Sequence, residues 1–160
     1  MSRIAPRVVL ALLLLAGLNV ARAAEVHGAS DAFATPGIAL AWAMLRGADD
    51  ASTRVLLRME VDPAYADVAV VGIDPFTRAA TPLLEHGRGL IVVAAARSHF
   101  AQFPRTEIRL SRTPGGAPEV VVYYVSVPDT TPEFDDASKL DAYLDERLAR
   151  LRATAPRRMP

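Results

Sequence analysis

The side chains best suited to chemistry in this chain are a run of carboxylates near its C-terminus and three histidines. Asp129, Glu133, Asp135, Asp136 and Asp141 crowd the stretch VSVPDTTPEFDDASKLD. Calcium needs several oxygen ligands converging on one point, and an EF-hand supplies them at alternate positions around a glycine. Asp129, Thr131, Glu133 and Asp135 alternate in that way. However, Phe134 stands where the glycine is required, and Leu140 stands where a bidentate glutamate belongs. A helix start explains more of the letters. Thr131-Pro132 reads as a cap followed by proline at a first helical position. Ser138 with Asp141 three residues on approximates a capping box, and Asp135 or Asp136 is an alternative N-cap. Carboxylates in a first turn are favoured by the helix dipole by about 0.3–1 kcal/mol each. This reading predicts Phe134 and Leu140 buried and the carboxylates facing water.

His27, His86 and His99 are the candidate metal ligands. An exported sandwich with a histidine near its mature N-terminus is an arrangement that suits a copper carrier, with His86 or His99 as the further ligand. If the mature chain began one residue later than the best cleavage site, His27 would be its third residue. The terminal amine, two backbone amides and the imidazole could then hold Cu(II) in a square plane. Met44 and Met59 fall on the inward side of their strands and are core residues before they are ligands. Nucleophilic catalysis has one place to look, Ser98-His99, since triads assemble in space rather than in sequence. The chain has no cysteine, no Gly-x-Ser-x-Gly elbow, no His-Glu-x-x-His helix and no glycine loop of phosphate-binding spacing, so no cofactor is implied. A possible interaction surface would be made by Phe76, Phe100 and Phe103 if they gather at one end of the fold. Arg54, Arg58 and Arg109 form an outward row, with Glu60 and Glu107 as cross-strand partners.

These residues must be positioned by the elements around them, and the first 23 residues take no part. Arg3 and Arg7 precede the apolar run Val8 to Leu18, and Ala21-Arg22-Ala23 places small residues at a signal-peptidase site. The run falls short of the roughly 20 residues that cross a bilayer, so cleavage between Ala23 and Ala24 is expected, with release to the periplasm or outside the cell. Lysines and arginines number 18, as do aspartates and glutamates. Loss of Arg3, Arg7 and Arg22 would leave a mature net charge of about −3, which gives no footprint for nucleic acid. Another exported protein or a small ligand is the expected partner, with no stable membrane span.

Residues 24–35 read as an extended polar lead. From residue 36 to 127 period-2 alternation recurs. Ile38, Leu40, Trp42 and Met44 oppose Ala39, Ala41 and Ala43, and Val55, Leu57, Met59 and Val61 oppose Arg54, Leu56, Arg58 and Glu60. Further strands are expected over Val68 to Ile73, Ala79 to Leu84, Thr106 to Leu110 and Val120 to Val125. The run GLIVVAAARS reads as a strand buried on both faces. Turn signals separate these segments without intervening helices, the pattern of an antiparallel β-sandwich of immunoglobulin-like architecture with about seven strands. Residues 128–152 are expected to form the acidic turn and one C-terminal amphipathic helix. Its stripe is Leu140, Tyr143, Leu144, Leu148 and Leu151, and a basic tail follows over 153–160. The whole reads as an exported, non-enzymatic binding or accessory module, with the copper carrier second and a hydrolase around Ser98 and His99 third.

Overall fold

The computed structural model describes residues 24–26, 32–124 and 131–154. Its strands are β1 (Ala24–Val26), β2 (Ala32–Thr35), β3 (Ile38–Leu45), β4 (Arg54–Val61), β5 (Asp67–Ile73), β6 (Ala80–Leu84), β7 (Leu90–Ala96), β8 (Arg105–Ser111), β9 (Glu119–Tyr124) and β10 (Glu133–Phe134). The helices are α1 (Arg97–Gln102) and α2 (Ala137–Thr154). The protein is mostly β, in two sheets with one long C-terminal helix. The first sheet runs β1-β9-β8-β5-β6; the second runs β10-β3-β4-β7, with β2 also on β3. Pairing is antiparallel except for two short parallel contacts, β1 with β9 and β10 with β3.

The alternation in the sequence is the alternation of faces. Ile38, Leu40, Trp42 and Met44 of β3 join Val55, Leu57, Met59 and Val61 of β4 and Ile91 and Val93 of β7. They pack on Val68, Val70, Ile108, Leu110 and Val121 of the other sheet to make one core. Met44 and Met59 belong to it, as their inward positions require.

The opposite face of β3 is lined by alanines, and their small size is what admits a helix. Ala41 and Ala43 are fully buried beneath Leu140, Leu144 and Leu148 of α2, with Phe134, Tyr143 and Leu151 packed around them. A second cluster therefore lies outside the core shared by the two sheets, between one sheet and α2. β2 and β10 share the remaining edge of β3. β2 pairs with Ile38 to Ala41, and β10 pairs with Met44 and Leu45.

One turn depends on a missing side chain. Gly37, at φ +94°, closes the β2–β3 hairpin, and a Cβ there would lie 2.6 Å from the Tyr65 ring. Tyr65 is buried and donates its hydroxyl to Glu119 Oε2 at 2.6 Å, while the Arg112 guanidinium lies 4.8 Å from its ring centre.

Candidate functional site

The described carboxylates of the acidic run, Glu133, Asp135, Asp136 and Asp141, do not converge. Glu133 accepts from Arg46 Nε at 2.5 Å, and Asp135 lies 3.7 Å from the Lys139 ammonium. Asp136 is the N-cap of α2, its Oδ1 accepting the Lys139 backbone N–H at 3.0 Å. Asp141 reaches Arg58 at 2.5 Å, beside Asp145 at 2.6 Å. Asp129 lies outside the described residues. Leu140 is buried and Phe134 half-buried against Tyr143. From Thr131 onward the stretch adds a short strand to β3 and starts a helix.

His86 and His99 are also kept apart. His27 lies outside the described residues. His86, in the loop before β7, places Nδ1 2.9 Å from Asp67 Oδ2 at the start of β5. That hydrogen bond raises the His86 pKa above its ordinary value and lowers that of Asp67. His99 sits in α1, with Nε2 2.9 Å from where a Cβ on Gly72 would stand, near the other end of β5. Its ring meets Phe100 edge-on at 5.2 Å and Phe103 at 4.9 Å. Burial lowers its pKa, and Nε2 has no hydrogen-bond partner. With His86 and His99 at opposite ends of one strand, they do not share an ion. Among the described residues no three of His, Asp and Glu gather as a metal site.

The Ser98-His99 pairing separates in the same way. Ser98 is exposed while the His99 imidazole is turned into the fold, and the histidine that holds a carboxylate is His86. The three phenylalanines do not form a surface either. Phe100 is 1% exposed and lies in the core, Phe103 is half-buried against His99, and Phe76 stands alone at 92% exposure. Phe100 is buried because α1, where a loop was expected, turns it into the core between the two sheets. The three arginines do not form a row: Arg54 and Arg58 lie on β4 of one sheet and Arg109 on β8 of the other, where it pairs with Glu107 of its own strand at 3.0 Å. Arg58 departs from the expected cross-strand pairing, because α2 brings Asp141 and Asp145 over it; Glu60 instead meets Arg152 at 3.2 Å. Arg152, Leu151, Thr35 and Val61 line a cleft of about 310 Å³ at the C-terminal end of α2.

The surface that stands out is on β7. Ile91 and Val93 point into the core, but Leu90 is 63% exposed, Val92 is 51% exposed, and Ala94 is exposed beside them. The expected burial of both faces of this strand is therefore half met. The reason lies in α2, which packs mainly over β3 and β2, touches β4 and leaves β7 uncovered. β7 is also the terminal strand of its sheet, hydrogen-bonded only to β4 among the described residues. The signal in the sequence was the run LIVVAAA itself, apolar at every position and so too apolar for a strand with one wet face. The chain matches no protein-family model, no curated protein and no solved structure. No helix among the described residues is long and apolar enough to cross a membrane.

Proposed function

We propose that this chain is an exported binding module of the periplasm or the extracellular space. In this reading β3 to β9 form an immunoglobulin-like sandwich that acts by binding rather than by catalysis. Its working surface is the outer face of β7. The observation that carries the reading is the exposure of Leu90 and Val92 on one strand face, beside a helix that stops short of covering it. Single exposed apolar residues are ordinary, but a contiguous apolar strip beside a polar rim marks a contact surface. The rim here is charged, with Arg58 bound to Asp141 and Asp145 along the near flank of α2.

Two measurements test the reading. Mass analysis of protein recovered from a bacterial periplasmic fraction is expected to give a chain starting at Ala24; protein held in the cytoplasm with Met1 intact overturns export. The apolar dye 8-anilinonaphthalene-1-sulfonate is expected to fluoresce on the folded protein and to lose that signal in Leu90→Lys/Val92→Lys. A folded wild type that leaves the dye dark, or a double variant that binds it equally well, overturns the surface.

A further inference from the structure

We infer that the occupant of the β7 edge is a second copy of this chain, joined by antiparallel pairing of the two β7 strands about a two-fold axis through Val93. The inference rests on the β7 reading above and names its partner.

The first argument compares the sheet edges. Exposed edges invite pairing with other chains, and natural sheets blunt them with proline, bulges, charge, shortness or cover. β6, one edge of the first sheet, carries Pro82 and pairs irregularly at Val70/Val71. β1, the other, is three residues long. The far edge of β3 is covered by β2 and β10. Among the described residues β7 alone has none of these devices: it is seven residues long, with no proline and no charge from Leu90 to Ala96. Such an edge is a hazard unless something is meant to pair with it.

The second argument identifies the partner from the strand's own sequence. About an axis at Val93, Leu90 lies opposite Ala96, Ile91 opposite Ala95 and Val92 opposite Ala94. The bulky half of each strand meets the small half of the other, on the outer face and the inner face alike. Directly opposed residues in an antiparallel pair share a face, so a one-residue slip would set outward residues against inward ones. Shifting the axis to residue 92 or 94 keeps the faces but leaves part of the strand unpaired. Arg88 and Arg97 fall just outside the seam, opposite Ser98 and Gly89 rather than each other. This is an isologous contact, self-complementary as a two-fold interface must be.

The resulting sheet runs unbroken from one β3 through both β7 strands to the other β3. The two α2 helices stand on the same side of it, one near each end. Between them lies a floor made of Leu90, Val92 and Ala94 from both copies, so the second copy extends the binding surface.

The chain contains no cysteine, so engineered cysteines report the register without interference. Opposed residues in an antiparallel pair have Cα atoms about 4.5–5.5 Å apart, inside the roughly 4.4–6.8 Å that a disulfide spans. Diagonal neighbours lie about 7–8 Å apart. Val92→Cys and Ala94→Cys proteins, mixed and mildly oxidised, are therefore expected to give the mixed disulfide well above the half share of random pairing. Sedimentation equilibrium of the wild type is expected to give twice the chain mass, and Val92→Arg is expected to give a monomer with unchanged circular dichroism. A random disulfide distribution, or a wild type that remains monomeric, overturns the inference. A monomer that keeps its dye signal removes the second copy and leaves the binding surface standing. A dimer that is dark to the dye removes the surface and leaves the pairing.

Discussion

Exchanging volume across the seat of α2 tests whether the alanine face of β3 is what admits the helix. Leu144 is fully buried in the cluster that contains Ala41 and Ala43. Leu144→Ala removes three carbons, worth roughly 2.4 kcal/mol at about 0.8 per methylene. The cavity left behind raises the cost to about 3–4 kcal/mol, within the range of about 2–5 for such changes. Ala41→Leu overfills the same layer and is expected to cost about 1–3 kcal/mol. If these two sites share one space, the double variant restores the volume and costs about 1–2 kcal/mol, well below the sum. Urea denaturation is the assay, with two signals recorded together. Trp42, the single tryptophan, is buried on the opposite face of β3 and reports the inter-sheet core. Far-UV circular dichroism reports α2. In Ala41→Leu the helical signal should be lost at lower urea than the Trp42 signal, because the helix lifts before the two sheets part. Additive costs in the double variant, or coincident loss of both signals in Ala41→Leu, would refute this packing argument.

Burial lowers the His99 pKa below its ordinary 6.5, so the unfolded chain takes up the proton first as pH falls. Stability should drop as pH falls through the unfolded value of 6.5, and His99→Phe should flatten that decline in urea titrations. His86 has the opposite sign. Its pKa is raised by Asp67, so its contribution is complete below the unfolded value and fades as pH rises through the folded one. An NMR titration is expected to show the His86 pKa falling back toward 6.5 in Asp67→Asn, and an unmoved value would show the hydrogen bond to be absent in solution. Gly37→Ala combines a positive φ with a Cβ 2.6 Å from the Tyr65 ring. It should cost about 1–3 kcal/mol from the backbone alone, and a thermal midpoint equal to wild type would contradict the turn.

The strands that were legible carry a period of two over several residues with a wet or small side opposite the core. β4 and β8 alternate apolar and charged residues, and β3 alternates bulky residues with alanine. α2 was legible from its leucines, and the structure extends it to Thr154. The segments that were not legible are those too short to show a period. β1, β2 and β10 are held by register against longer strands, and two residues such as Glu133 and Phe134 cannot announce a parallel pairing with β3. α1 was hidden because its six residues carry no cap and one buried side chain, Phe100. The alternation of β3 was readable, but the purpose of its alanines was not, since a small residue signals only that something may approach closely. The candidate site was the least legible feature. Histidines and carboxylates drew attention by type, and the described ones proved to be scattered. The uncovered face belonged to the strand whose sequence looked most deeply buried.

The way β3 is completed has a consequence for when this protein can fold. On one side β3 joins β4, its neighbour in the chain. On the other it receives β10 from near the C-terminus, where Arg46 and Glu133 meet across 87 residues. Closing a loop of that length costs entropy before any contact repays it, and β-rich topologies dominated by such contacts fold in milliseconds to seconds. The stretch that seals β3 and roofs it with α2 is thus synthesised after β1 to β9. Until synthesis has passed Thr154, the outer alanines of β3 lack their cover. A chain synthesised only as far as β9 thus carries an incomplete β3 edge and an uncovered alanine face, whatever its other strands have paired.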